Sequence, residues 1–516
     1  MVKFALIKID LTWRKNRQQE ILSGEAKTVD REEKVIHPAR AVRANSYFFS
    51  WRRASVVVRR LVLAAGCVIS CSGCANFPDA AQVLENSTAA TVKFENARGP
   101  ISAGKSAATI ESLKRKSGDI DILQKHLEVE QAINVGSPLV LGNKLTLLQD
   151  GPATYRAMFA AIGKANDHIN LETYIFEDGE IGQQFADLLL QRQAAGVQVN
   201  LIYDSVGSLH TPKAFFERLR SGGIQVLEFN PINPLVGNKK GWRLNNRDHR
   251  KLLVVDGRIA FIGGINISEA YSSGSNSKAV KKDGTNTTGW RDTHLQIEGP
   301  VVAEFQKLFL DTWNKQKGPP LTQKNYFPKL SNQGDAIVRA IGSGSSDPHS
   351  LIYLTLLSAI DSAEQQVHLT NAYFDPDPQF LKALTSAAQR GVKVTLILPS
   401  HTDSWAVFHA GRSHFSDLLQ AGVKIYQRRG AVLHSKTVSI DGVWSTIGST
   451  NLDWRSFLHN NEINAAILDR NFAQQMDSMF AKDLAESDNI EPAAWEHRSL
   501  LLRLKEWAAQ LAEYWL

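Results

Sequence analysis

Two stretches of this chain carry the same chemistry at the same spacing. His249-Arg-Lys251 is followed by four residues, Asp256, six more, and Gly263-Gly264-Ile265-Asn266. His434-Ser-Lys436 is followed by four residues, Asp441, six more, and Gly448-Ser449-Thr450-Asn451. A lone histidine on an apolar strand is usually a satisfied core residue, but here 185 positions separate two histidines with the same partners. Imidazole titrates near neutrality, so one ring can attack phosphorus while the other protonates the leaving oxygen. Attack by nitrogen gives a phosphohistidine and splits the transfer into two displacements. Lys251 and Lys436 can neutralise the non-bridging oxygens, with Asn266, Asn451 and Ser449 supplying hydrogen bonds. Fixed charge of this kind substitutes for the metals that many phosphotransferases need. Neither a carboxylate cluster nor a His-x3-His spacing suggests a metal site, and no cofactor is expected.

Each histidine needs a carboxylate on its far nitrogen to fix the tautomer and support a positive ring. Asp292, in Trp290-Arg-Asp-Thr-His294, lies 43 residues past His249 and is the candidate for the first copy. Glu462, in Asn460-Asn-Glu-Ile-Asn464, lies 28 residues past His434 and is the candidate for the second. Asp256 and Asp441 complete the repeated pattern and count among the candidate catalytic residues. Their position at a turn between two strands favours a structural role over proton transfer.

The surrounding pattern supplies alternating strands and helices. Ile169–Phe176, Gly196–Tyr203 and Ile224–Phe229 read as buried strands, with helices at Ala153–Lys164, Ile181–Ala195 and Phe215–Ser221. Leu252–Val255 and Ile259–Ile262 follow as two strands joined by a tight Asp256-Gly257 turn. The second half repeats the programme: Gln366–Tyr373, a helix over Pro378–Gln389, Gly391–Leu398, Gly422–Tyr426 and a second strand pair. An α/β fold in two tandem copies is the natural account. The ranges expected are 143–320 and 335–490, with a join near Lys315–Ala336 where Gly, Pro, Asn and Lys accumulate. Residues 76–142 read as a linker with one or two helices. Two polar inserts, Pro231–Asn245 and Ser272–Gly289, are candidates for a rim or lid. The tail, 491–516, places Leu500, Leu501, Leu504, Trp507, Leu511 and Tyr514-Trp515 at helical spacing, to dock on the fold or to lie at a lipid interface.

Charge narrows the partner. The formal net charge is +7, but residues 1–60 hold 14 Lys/Arg against 6 Asp/Glu, so residues 61–516 sum to about −1. An extended phosphate-tracking surface, and with it nucleic acid as a partner, is not indicated. The three cysteines, Cys67, Cys71 and Cys74, follow Arg59-Arg60 and a short apolar run. Cys-x3-Cys-x2-Cys is also an iron–sulfur spacing, but a basic flank and small residues ending at a cysteine point to a lipoprotein-type export signal. The run is short for a bilayer span. The polar residues 1–55 ahead of it are unusual for such a signal and put the start of translation in question, with a non-Met start among the valines at 56–58 as the alternative.

The doubled His-x-Lys-x4-Asp-x6-Gly-[Gly/Ser]-x-Asn pattern resembles the signature of the phospholipase D superfamily over residues 143–490. Within it, Glu172–Phe176, Asn246–Leu252, Trp290–His294 and Ile297–Pro300 are similar to the first half of bacterial cardiolipin synthases. Ala410–Ser413, Val432–Thr437, Gly448–Asp453 and Arg455–Phe457 are similar to the second. The resemblance implies two phospholipase D-like α/β sandwich domains related by a pseudo-twofold axis, with both histidines at the seam. It implies transfer of a phosphatidyl group from phosphatidylglycerol to a second phospholipid, with His249 as nucleophile and His434 as acid/base. A membrane-associated enzyme of the bacterial envelope follows, at the periplasmic face of the inner membrane or on a lipoprotein anchor. A phospholipase D using water or another alcohol is the alternative, and a nuclease-type phosphodiesterase or a non-catalytic lipid binder fit less well. Gly264 departs from the serine commoner at that position, which removes one hydroxyl from the phosphate pocket.

Overall fold

The computed structural model describes residues 92–511 and Glu513, apart from 118–119, 134–135, 233–244, 276–277, 281–285, 322–323, 345–346 and 348–349. The cysteine-marked leader, most of the 231–245 insert and residues 514–516 lie outside the described residues.

The first half is built on strands β1 (Leu139–Gln149), β2 (His168–Thr173), β3 (Gln198–Asp204), β4 (Gln225–Phe229), β5 (Lys251–Val255), β6 (Ile259–Gly263) and β7 (Thr293–Glu298). The second uses β8 (Ala336–Ser343), β9 (Gln366–Asn371), β10 (Lys393–Pro399), β11 (Lys424–Arg428), β12 (Lys436–Ile440), β13 (Trp444–Gly448) and β14 (Asn460–Leu468). In the first half β2, β3 and β4 run parallel, and β2–β5, β5–β6, β6–β7 and β7–β1 pair antiparallel. The second half repeats each pairing: β9, β10 and β11 parallel, then β9–β12, β12–β13, β13–β14 and β14–β8 antiparallel. This is the duplicated α/β architecture expected from the sequence. The parallel steps carry crossover helices, Glu180–Ala194 and Lys213–Ser221 in one half and Pro378–Gln389 and Phe415–Gln420 in the other.

The halves meet twice over. β8 pairs antiparallel with β1, which joins the two sheets. One apolar core is common to both: Leu252, Val254 and Ile262 of the first half cluster with Ile447, Ile463 and Ala465 of the second, closed by Phe305 and Phe309 from helix Val302–Lys315 and by Phe472 and Met476 from helix Arg470–Ala485. Strands buried on both faces read as near-continuous apolar runs, as Lys251-Leu-Leu-Val-Val255 does.

The segment expected as a linker is, in its described part, built into the second half. Helices cover Ala103–Ser117 and Ile120–Ala132, and Phe94, Ile122, Leu123 and Leu127 enter the same core as Leu356, Leu369 and Trp444. A buried ion pair secures it, with Arg339 Nη1 2.9 Å from Glu130 Oε2 and Trp444 Nε1 donating to Glu130 Oε1 at 2.8 Å. Within the Ser272–Gly289 insert, Lys278–Val280 and Asn286–Thr288 form a short hairpin. No helix among the described residues is long and apolar enough to cross a membrane.

Candidate active site

The residues ahead of each histidine leave their own half and pair with the other. Arg247-Asp248 runs parallel to Asn460-Asn461, and Val432-Leu433 runs parallel to Trp290-Arg291. The next backbone N–H continues each bridge: that of His249 donates to the Asn461 carbonyl at 3.0 Å, and that of His434 to the Arg291 carbonyl at 2.8 Å. This register sets the following residue of each partner strand, Glu462 or Asp292, against the opposite imidazole. His249 Nδ1 lies 3.0 and 3.1 Å from the Glu462 oxygens, and His434 Nδ1 lies 2.7 Å from Asp292 Oδ2. The assignment of each carboxylate to the histidine of its own copy is therefore corrected. Parallel bridges across the seam exchange them.

With Nδ1 engaged, each ring keeps Nε2 for the space in front of it. Both histidines line one cavity of about 260 Å³, together with Asn266, Asn451, Tyr174, Tyr373, Trp290, Arg247 and Arg455. Lys251 Nζ donates to the His249 carbonyl at 2.6 Å, and Lys436 Nζ to the His434 carbonyl. Each ammonium also stands over an aromatic face, Lys251 5.1 Å from the Tyr174 ring and Lys436 5.9 Å from Tyr373. Asn266 accepts the Ile175 N–H at 3.2 Å and donates to the Tyr271 hydroxyl, which stands 3.2 Å from His434 Nδ1. Asn451 Oδ1 is buried without a protein partner.

Burial sets the electrostatics. It holds His249 well below its ordinary pKa, reinforced by Lys251, Lys436 and His434. It takes His434 down to about 4, helped by Lys436 and opposed by Asp292. Burial pushes Glu462 up to about 7, against Lys251 and the donors Ser449 and Asn460. It lowers Lys251 to about 7 and Lys436 to about 8, the carboxylates Glu462 and Asp292 pulling the other way. Both imidazoles are thus neutral at rest, one condition for nucleophilic attack by nitrogen. An incoming phosphate anion favours protonated lysines and a protonated second ring.

Three site expectations change. The Ser449 hydroxyl donates to Glu462 rather than facing the cavity. Gly264, its counterpart, therefore costs the phosphate pocket nothing. A Cβ there would stand 2.2 Å from Asp292 Oδ1, so the carboxylate occupies the room a side chain would need. Asp256 and Asp441, counted among the catalytic candidates, sit away from the cavity. Asp256 accepts the backbone N–H groups of Asn166, Asp167 and His168, and Asp441 those of Glu364, Gln365 and Gln366. Each lies in the left-handed region, φ 52° and 53°, followed by a glycine at 62° and 63°, the Asp-Gly hairpin turn. The aspartates recur because each ties a hairpin to the entry of the neighbouring strand.

Sequence reasoning did not single out Tyr174, Tyr373, Trp290, Arg247 or Arg455. The tyrosines carried a usable signal, since each follows the corresponding strand of its copy, β2 or β9. Arg455, Trp290 and Arg247 lie outside the doubled pattern and were marked only as parts of the stretches that resemble cardiolipin synthases, Arg455–Phe457, Trp290–His294 and Asn246–Leu252.

A family model described as "Cardiolipin synthase, PLD-like domain" matches residues 158–289 and 356–484, one range in each half. The cardiolipin synthase of Geobacillus kaustophilus (strain HTA426) is 35% identical over 377 residues, 72% of this chain and 72% of that one. The chain belongs to this family. Cardiolipin synthase A of Pseudomonas putida is 37% identical over 359 residues, 68% of this chain and 70% of its own. Among solved structures, the phosphatidylserine synthase of Haemophilus influenzae Rd KW20 has the same fold, with a TM-score of 0.56 at 14% identity, covering 76% of this chain and 100% of that one. Family membership makes the chain an enzyme of the phospholipase D phosphatidyltransferase type. The family's two matched ranges each carry one of the paired histidines described above.

Proposed function

We propose that the chain transfers a phosphatidyl group from phosphatidylglycerol to a second phospholipid, making cardiolipin. The observation that carries the reading is the pair of imidazoles on one cavity, each held by a carboxylate from the other half. Binding of the anionic substrate first protonates His434 at Nε2; in the first displacement His249 Nε2 then attacks phosphorus, the bond to the headgroup oxygen breaks, and His434 gives that oxygen the Nε2 proton, so glycerol leaves. In the second, the acceptor hydroxyl returns a proton to His434 and attacks phosphorus, and the P–N bond breaks. Lys251, Lys436, Asn266 and Asn451 offset the charge that gathers on the non-bridging oxygens. Glu462 and Asp292 keep both Nδ1–H groups pointed away from the reaction and support the ring that turns positive.

The same reading takes 143–320 and 335–490 as the two catalytic domains, a membrane of the bacterial envelope as the site of action, and phospholipids rather than nucleic acid as partners. The near-neutral balance of residues 61–516 supports the last point. Incubation with labelled phosphatidylglycerol in micelles tests the whole. Cardiolipin with free glycerol is expected, phosphatidic acid would make the chain a hydrolase, and absence of lipid turnover would overturn the reading.

A further inference from the structure

Helix Leu500–Gln510 is docked the wrong way round for a soluble protein. Its buried positions are a glutamate and an alanine: Glu506 is 2% exposed and Ala509 2%. Its large apolar side chains face out, with Leu500 76%, Leu501 64%, Leu504 61%, Trp507 60% and Leu511 71% exposed. Positions 500, 504, 507 and 511 follow the helical period and form one stripe. A helix that docked by hydrophobic burial would present that stripe to the core.

Polar contacts hold this orientation. Arg498 Nε donates to Glu506 Oε2 at 2.9 Å, and Arg412 Nε lies 3.7 Å from Glu506 Oε1. Beyond the helix, Glu513 accepts from Trp454 Nε1 at 3.2 Å and lies 3.5 Å from His414 Nε2. Burial disfavours the charge on His414, but Asp375 and Glu513 together lift its pKa to about 9, so the clasp is ionic at neutrality. The helix is thereby seated on Trp405–Ser413, whose Val407, with the preceding Ser404, lines the catalytic cavity. Trp405, at the start of that helix, is itself 54% exposed. Arg503 and Lys505 flank Leu504 and are exposed. Apolar side chains bordered by cations fit the acyl–headgroup boundary of an anionic bilayer.

We infer that the outward stripe of helix Leu500–Gln510 is a membrane-docking surface, inserted among the acyl chains of an anionic leaflet so that the neighbouring cavity receives lipid headgroups from the interface. The inference rests on the phospholipid reading of the site and names the surface that brings that substrate in. Lipid headgroups then reach His249 and His434 while their acyl chains stay in the leaflet.

The test uses the full chain with vesicles of phosphatidylglycerol and phosphatidylcholine that carry a photoreactive diazirine on one acyl chain. After photolysis, adducts are expected on Leu500, Leu504 and Trp507. The double variant Leu504→Gln/Trp507→Gln should lose at least tenfold in adduct yield at this helix and raise KM for vesicle lipid at least tenfold. Its turnover of a monomerically dispersed short-chain phosphatidylglycerol should be unchanged, which shows that the variant is folded. Vesicle-bound protein without adducts at residues 500–511 would overturn the inference. So would a solution dimer that the double variant abolishes, because a second copy would then cover the stripe. Adducts at the helix without any lipid turnover would sink the enzymatic reading and leave the surface standing.

Discussion

His249 is oriented by Glu462, a residue 213 positions away in the other half of the chain, through contacts of 3.0 and 3.1 Å to Nδ1. His434 and Asp292 make the reciprocal pair at 2.7 Å. Neither half owns a complete histidine–carboxylate unit, so the site exists only where the halves meet. The exchange follows from the two parallel bridges at Arg247-Asp248 and Val432-Leu433, which carry each strand across the seam just before its histidine.

The crossed pairing is open to a direct test. Glu462→Gln and Asp292→Asn keep the shape of each contact and remove its charge. Each should lower kcat by about 10²- to 10⁴-fold. Glu462→Gln should suppress formation of the His249 adduct, whereas Asp292→Asn should act through His434. Steady-state and single-turnover kinetics on the two variants check this, and the opposite assignment would restore the within-copy pairing.

Gly264→Ser restores the residue usual at that position but introduces a Cβ 2.2 Å from Asp292 Oδ1. The carboxylate must shift off His434, so activity should fall by on the order of 10²-fold. Ser449→Ala removes the hydrogen bond to Glu462 and the hydroxyl that accepts the Ile463 N–H at 3.0 Å, but introduces no clash, and should cost less. A gain of activity in Gly264→Ser would show that the hydroxyl belongs to the phosphate pocket after all.

Lysine protonation sets the alkaline side. Lys251 at about 7 and Lys436 at about 8 lose charge as pH rises through that window, so kcat/KM should fall above neutrality. On the acid side Glu462, at about 7, becomes protonated and releases its hold on His249, which gives a bell-shaped profile near neutrality. A bound anion raises both lysine pKa values, so inorganic phosphate binding at pH 8 should take up about one proton. Calorimetry in buffers of different ionisation enthalpy reads that uptake, which should shrink at pH 6 where the lysines are already charged. Proton release at pH 8 would contradict the scheme.

Glu130→Ala leaves Arg339 buried without its countercharge and deprives Trp444 of an acceptor. Denaturant unfolding should show a loss of about 3–5 kcal/mol. A loss below about 1 kcal/mol would mean that helix Ile120–Ala132 is a loose appendage rather than part of the second half's core.

The repeated strands, their order and both histidines were legible in the sequence, because local periodicity and a doubled motif report them. The partners of those histidines were not. Spacing along the chain placed Asp292 near His249 and Glu462 near His434, whereas the deciding contacts are β-bridges between residues more than a hundred positions apart. Asp256 recurs with the paired histidines, and its position at a turn already favoured the structural role that its three backbone N–H contacts and left-handed conformation show. Within the segment read as a linker with one or two helices, spacing reported the helices but not their packing, because the partners of Leu127 and Glu130 lie more than two hundred positions along the chain.

Covalent phosphatidyl transfer through His249 leaves a trappable adduct. Rapid mixing of the full chain with phosphatidylglycerol labelled at phosphorus, quenched in alkali because phosphoimidazoles are acid-labile, traps the intermediate for peptide mapping by mass spectrometry. Label on His249, absent in His249→Ala and in Glu462→Gln, is the expected result. Undiminished turnover in His249→Ala, or label found on His434 instead, would contradict it.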